Sequence, residues 1–427
     1  MSTASEPINA RISALSVFND HRDYILTFGA EISIFLSQMI LYRWIANGFG
    51  KQAFDEFALA RRSITLLQPV LLLGLSVALP RHLSFAVADK DHPRATRLYG
   101  ATLLMVAVTC SLALAATALF NRPLALAIFG ASSYSTLLVS LTTMVVGIVA
   151  HSVVYAFFRG TLNMTYANLL QFINLGVIPV IVYCFVRSSI SAVLVWTGVC
   201  WIVVAVAFGI RTPLCAVGFH RFEIKQLFVY GIQRVGGDFL VMALMTLPAV
   251  VLAHVAGIEH AGAMAFGMSF LTMFGAVFGP ASIVLLPKAS RMLACGRHNE
   301  LRSHVRSAFV ITITVALLLT IAVESFSDQI VTSYLGTGYE DVAAYLKILA
   351  LASVPYALYC VLRGVIDAYY VSGVNSWNLF LSFLVFCLVT CFAIQSQSSE
   401  LIAIAVVSSL YVLCVLTLYR ILAIVRN

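Results

Sequence analysis

Residues 98–120, LYGATLLMVAVTCSLALAATALF, run for twenty-three positions without an acidic or basic side chain. A hydrocarbon core about 30 Å thick takes about 20 helical residues to cross, so this stretch is long enough to span a bilayer. Its apolar residues lie on all sides rather than alternating, which excludes the dyad pattern of a membrane barrel strand. Eleven further stretches of this kind lie at 24–46, 57–79, 136–158, 168–187, 191–210, 227–254, 262–287, 305–324, 343–363, 375–395 and 400–425. The chain therefore reads as all-α, a polytopic membrane protein of about twelve transmembrane helices. A hydrophobic fraction of 61% with only 10% charged residues agrees, being far from the composition of a soluble domain. No connection exceeds roughly twenty residues, too short for a folded domain outside the membrane. Residues 1–23 are polar and mixed in charge and lack the pattern of a signal peptide, so the first span is expected to persist.

The net charge of +8 could suggest nucleic acid, but the placement of the basic residues points elsewhere. Eighteen of the 26 Lys and Arg residues fall in connections on the same side as the N-terminus, while only Lys51, Arg122 and Arg187 sit outright on the other. That bias is the positive-inside pattern, with both termini cytoplasmic. The basicity thus expresses topology first and attraction to anionic membrane lipid second, with no nucleic-acid partner. The nine cysteines lie mostly inside spans or on the inner side and form no disulfide framework. Cys387 and Cys391 share a helix face, but no other ligand pattern accompanies them, so they read as packing residues, and no metal is expected.

The chain also repeats itself. Leu79-Pro80-Arg81 returns as Leu286-Pro287-Lys288, 207 residues later, and at that offset Glu31 falls opposite Asp238. An offset of 204 pairs Arg159-Gly160 with Arg363-Gly364, Gln171 with Asn375 and Asn174 with Asn378. Six spans per half is an even number, so the halves enter from the same side and the repeat is parallel. The expected organisation is an N-terminal segment 1–23, an N-lobe 24–212 and a C-lobe 213–427. The longest basic connection of each half follows its second span, and 288–306 has apolar residues at partly helical spacing. It reads as a short helix on the inner membrane surface or as a solvated basic loop. Prolines at 69, 179, 248, 280 and 355 interrupt spans, as hinges or as static shaping of the bundle.

A charge near the middle of a span costs about 2.5–3.5 kcal/mol on insertion scales and rarely faces lipid. In the first span Thr27, Glu31 and Gln38 share a face, and Glu31 has no partner in its own helix, so it must find Arg or water across the bundle. A protonatable carboxylate so placed suits coupling to a cation gradient. In the seventh span Arg234 and Asp238 are four apart, able either to neutralise each other or to act in translocation. Lys347, Arg43, Arg61 and Arg62 near span ends are expected to snorkel. Arg159 and Arg363 end their spans on the inner side, where they anchor the helix or hold a diphosphate through forked hydrogen bonds. The stripe Asn168, Gln171 and Asn174 can contact sugar hydroxyls or join helices. No phosphate-binding Gly-rich loop, zinc motif or nucleophile elbow occurs, so no catalytic residue and no cofactor is expected.

The segments Leu73-Gly74-Leu75 to Leu79-Pro80-Arg81, Phe158-Arg159-Gly160, Ala167-Asn168-Leu169-Leu170-Gln171, Tyr230 to Arg234 with Gly237-Asp238, Leu286 to Arg291, and Leu362-Arg363-Gly364-Val365-Ile366-Asp367 carry a resemblance over nearly the whole chain. The chain resembles the polysaccharide and oligosaccharide flippases of the superfamily that also holds multidrug extruders and lipid II flippases. The resemblance implies a twelve-helix carrier in two six-helix lobes. It would work by alternating access, exporting an undecaprenyl-diphosphate-linked oligosaccharide across a bacterial inner membrane, beside polysaccharide polymerase and export proteins. Arg159, Arg234 and Arg363 become candidate phosphate contacts, Asn168, Gln171 and Asn174 candidate sugar contacts, and Glu31 and Asp238 candidate coupling-ion sites. Lipid II flippases often carry two further helices, which this sequence lacks. Rival readings are a small-molecule drug:cation antiporter, which favours an excess of acids in its cavity, and a membrane polymerase or ligase, which the short outer connections disfavour.

Overall fold

The computed structural model describes residues 6–212, 218–370 and 373–426. The side chains up to residue 26, and those at 28, 233–235, 238, 283, 284, 287, 294 and 426, lie outside the described residues, and Arg234 and Asp238 are among them. Every regular element described is a helix. In chain order they are α1 (Glu6–Phe49), α2 (Lys51–Leu72), α3 (Leu75–Ala88), α4 (His92–Leu119) and α5 (Asn121–Phe129). Then follow α6 (Ser135–Gly160), α7 (Met164–Gln171), a π-helical stretch Phe172–Val177, α8 (Ile178–Phe185) and α9 (Ile190–Gly209). The second half holds α10 (Arg221–Val255), α11 (Ile258–Ala294), α12 (His298–Leu335), α13 (Glu340–Ala350), α14 (Ser353–Tyr369), α15 (Val374–Gln395) and α16 (Ser399–Arg426). Eight helical segments among the described residues are long and apolar enough to cross a membrane, and two bent pairs raise this to ten. Helices α1 and α10 cover the first and seventh stretches read from the sequence. The chain is an all-α, multi-pass membrane protein.

The structure forms two compact units. One comprises the residues up to Trp44, Val70–Leu119 and Val139–Gln233; the other comprises Ile45–Pro69, Phe120–Leu138 and the chain from Arg234 onward. They interleave along the sequence, since two short stretches of the first half pack with the second half.

Helix ends explain where the spans stop. The basic connection 288–306 is neither a separate surface helix nor a loop, because α11 runs to Ala294 and α12 restarts at His298. Its apolar residues Ala289, Met292, Leu301 and Val305 are buried in a cluster with Leu362, Val365, Ile366, Ile421 and Ile424, and that burial holds the connection helical. The turn is a left-handed cap: Gly296 has φ 67°, and the Arg297 amide donates to the Met292 carbonyl at 2.8 Å. The first half closes its basic connection in the same way, with Lys90 at φ 57° and the Asp91 amide on the Ala86 carbonyl at 2.8 Å. The duplication therefore extends to the backbone.

It extends to packing too. A Cβ at Gly160 would meet the Pro80 Cα at 2.9 Å, and one at Gly364 would meet the Ser282 Oγ at 2.5 Å. In each half the Arg-Gly glycine thus lets α6 or α14 approach the helix that carries the Leu-Pro-basic motif. Three of the five span prolines coincide with breaks. Pro69 precedes the 46° bend between α2 and α3, Pro355 follows the 50° bend between α13 and α14, and Pro179 follows the π-helical stretch. Pro248 and Pro280 lie in α10 and α11, which run through them.

Candidate functional site

The polar faces of α1 and of the α7–α8 rod meet in the first unit. A proline has no N–H, so Pro179 cannot bond to the carbonyls of Leu175 or Asn174, the acceptors that α- and π-helical geometry would assign to it. Those carbonyls take side-chain donors instead. Gln38 Nε2 donates to the Leu175 carbonyl at 3.2 Å, and Trp201 Nε1 donates to the Asn174 carbonyl. The Ser37 hydroxyl donates to the Gly176 carbonyl. One turn back along the rod, Gln171 Nε2 donates to Glu31 Oε1 at 2.8 Å and Asn168 Nδ2 to Thr27 Oγ1 at 2.9 Å.

This seam gathers six of the residues picked out from the sequence: Thr27, Glu31, Gln38, Asn168, Gln171 and Asn174. Asn168, Gln171 and Asn174 are buried, whereas Glu31 is exposed. Glu31 was expected to find Arg or water; its partner is a neutral amide, and among the described residues no ion pair includes it. Asn174 Nδ2 lies 3.2 Å from His151 Nδ1 and 3.3 Å from the Trp201 carbonyl, so the His151 nitrogen facing it acts as acceptor. His151 stacks on Tyr155 at 5.8 Å, and Tyr155 lies under the exposed Arg159, with 5.6 Å from guanidinium carbon to ring centroid. Residues 151, 155 and 159 are successive turns of one face of α6, so the file leads from a buried polar pair to a cation at the helix end.

The amides along the seam spend their donors inside the protein. Gln38 Oε1, Gln171 Oε1 and Asn174 Oδ1 are buried and have no hydrogen-bond partner among the described residues. Together with the Glu31 carboxylate they make the seam rich in acceptors, a chemistry that suits a proton or a small cation rather than an anion.

In the second unit Arg363 is exposed, and its carbonyl accepts from Asn375 Nδ2 at 3.1 Å, which also donates to Asp367 Oδ1 at 2.6 Å. Arg363 does not end its span: α14 continues to Tyr369, because Val365 and Ile366 are fully buried and carry the helix onward. Arg159 does stand at its helix end, one residue before Gly160. The Arg234 and Asp238 side chains lie outside the described residues, so α10 supplies only their backbone positions.

Two charged residues of α2 were misread or passed over in the sequence. Arg62, expected to snorkel, is 5% exposed and donates from Nε to the Met245 carbonyl at 2.8 Å and from Nη2 to the Met268 carbonyl at 3.3 Å. Asp55 is fully buried. The available signal was their spacing: seven residues apart on a helix is two turns on one face.

In the second unit, a cavity of about 270 Å³ is lined by Lys288, Arg291, Arg297 and His304, with Glu300 3.4 Å from Arg297. At the start of α10 in the first unit, Glu223 accepts from Arg97 Nε at 2.8 Å. Burial alone would raise the Glu223 carboxyl, but the Arg97 hydrogen bond and charge outweigh it and hold the group below its ordinary value.

Residues 21–293 match the polysaccharide biosynthesis protein family, and the chain belongs to it. Residues 236–393 also match the MatE family. No curated protein matches the sequence. Among solved structures, the chain is similar to an inward-facing multidrug resistance MATE family transporter of the MOP superfamily. That match has a TM-score of 0.76 and 14% identity over 92% of this chain and 94% of the other. It is also similar to the lipid II flippase MurJ in an inward closed conformation, with a TM-score of 0.69 and 14% identity over 94% and 91%. A third match is a MOP superfamily transporter from Pyrococcus furiosus, described by the reversed polarity of its binding pocket, with a TM-score of 0.62 and 13% identity over 95% of each chain. The superfamily resemblance read from the sequence is borne out.

Proposed function

We propose that this protein is a flippase of the bacterial inner membrane, not an enzyme, that moves an undecaprenyl-diphosphate-linked oligosaccharide to the outer leaflet for polysaccharide assembly. It works by alternating access of an N-lobe (24–212) and a C-lobe (213–427), with both termini cytoplasmic. Membership of the polysaccharide biosynthesis protein family supports the cargo class, and similarity to a lipid II flippase supports a lipid-borne substrate. Polysaccharide polymerase and export proteins are the partners that would receive the product.

The observation that carries the mechanism is the acceptor-rich seam holding Glu31 against Gln171. Glu31, with Asp238 as its repeat counterpart, takes the coupling cation. Arg159, Arg363 and Arg234 contact the diphosphate, and the polar stripe at 168–174 meets the sugar where its hydrogen bonds open. With the inside negative, outward export of each negative charge gains about 2.3 kcal/mol per 100 mV, and the coupling cation acts on the return of the empty carrier.

The test is export in a strain deleted for the gene. Glu31→Gln and Arg159→Ala should each slow export of surface polysaccharide at least about tenfold while the protein remains in the membrane; normal export by both overturns the assignment. The MatE match and the multidrug transporter neighbours favour a second reading, a drug:cation antiporter. Deletion that raises drug sensitivity and leaves polysaccharide intact would establish that reading instead.

A further inference from the structure

Asp55 stands five residues into α2, ahead of the apolar stretch that begins near residue 57. It is fully buried, and among the described residues neither carboxyl oxygen has a hydrogen-bond partner. Its neighbours in the second unit do not supply one. Lys51, the nearest cation in sequence, lies 3.2 Å from Asp341 Oδ1. The Tyr339 hydroxyl donates to the Ala46 carbonyl at 3.1 Å. From α11, a Cβ at Gly262 would fall 2.4 Å from Asp55 Oδ1, so the backbone of that helix closes over the carboxyl.

The surrounding charge is acidic. Asp341 of α13, Glu259 of α11 and Glu56 of α2 all act on Asp55 with a negative charge, and among the described residues Lys51 opposes them. Tyr134 and Tyr339 also face this cluster. Among the described residues no three His, Cys, Asp or Glu side chains are arranged to hold a metal ion. An ionised carboxylate out of water with no donor on either oxygen is among the most unfavourable groups a protein can bury. Binding a proton cancels that charge with one new O–H bond and needs no change in packing.

We propose that Asp55 is a proton-binding site, loaded while α11 covers it and exchanging its proton with water on the side of Lys51 and Asp341. Only the consequence rests on the transporter reading: there, Asp55 gives the second unit a proton acceptor separate from Glu31.

Infrared spectroscopy of the purified full-length protein in lipid tests this without transport. At neutral pH the wild type should show a protonated-carboxyl C=O band that is absent from Asp55→Asn. The band should disappear as pH is raised. Asp341→Asn removes a neighbouring negative charge and releases Lys51, so it should move that loss to lower pH by about one unit, a tenfold weaker hold on the proton. An identical carbonyl region in wild type and Asp55→Asn overturns the proposal. So does a band that responds to sodium at fixed pH. If Asp55→Asn does not fold, the Asp341→Asn shift decides, and an unmoved band refutes the site. A band that behaves as expected while Glu31→Gln exports normally would leave this site standing and remove the coupling role of Glu31.

Discussion

The seam in the first unit predicts that two neighbouring polar residues, Glu31 and Asn174, fail in opposite ways. Asn174 is fully buried and gives its two amide hydrogens to His151 Nδ1 at 3.2 Å and the Trp201 carbonyl at 3.3 Å. Asn174→Leu keeps the volume roughly but leaves the His151 nitrogen buried and unpaired, while the Trp201 carbonyl keeps its bond within α9. One such group costs about 1–3 kcal/mol, and that is the loss expected here. Glu31→Gln differs. The side chain is exposed, the shape is kept, and a glutamine oxygen can still accept from Gln171, so the stability change should stay below about 1 kcal/mol. The assay pairs thermal unfolding of detergent-purified protein with export in a deletion strain. Asn174→Leu should lower the unfolding temperature by several degrees. Glu31→Gln should leave it nearly unchanged yet slow export at least about tenfold, equivalent to ~1.4 kcal/mol on the barrier. If Glu31→Gln unfolds as readily as Asn174→Leu, Glu31 is a packing residue and the coupling argument fails.

Three further outcomes follow from named contacts. A Cβ at Gly198 would meet the Thr143 backbone at 2.7 Å, so Gly198→Val should force α6 and α9 apart at a cost of about 3 kcal/mol or more, read as loss of monodisperse protein on size exclusion. Because Glu223 is held below its ordinary value of 4.5, its pairing with Arg97 stabilises the fold above that value and is lost as pH falls through the lowered one. The difference in unfolding temperature between wild type and Glu223→Gln should therefore be present at neutral pH and vanish in acid. Removing Lys288, Arg291 and Arg297 together should reduce the anionic lipid that co-purifies with the protein, measured by native mass spectrometry, with Arg94→Ala as an unaffected control.

Membrane character, helical class and the internal repeat were all legible along the chain, because insertion depends on local hydropathy and a duplication leaves its motifs in order. Leu-Pro-basic and Arg-Gly were legible as repeated words, and the structure shows the glycine of the second packed against the helix of the first in each half. The alignment of Thr27, Glu31 and Gln38 on one face followed from helical period alone. What sequence could not reveal is which helix answers that face, since partner choice depends on contacts 137 to 141 residues apart. Only the tertiary structure could show that Pro179 frees two carbonyls for Gln38 and Trp201, that Gln171 rather than an arginine meets Glu31, and that 288–306 is helix because its apolar side is buried. The same reason separates Arg61 from Arg62 and hides Asp55. One position along a helix turns a side chain by about 100°, and whether that turn ends in lipid, water or a closed core is decided by the neighbours that fold against it.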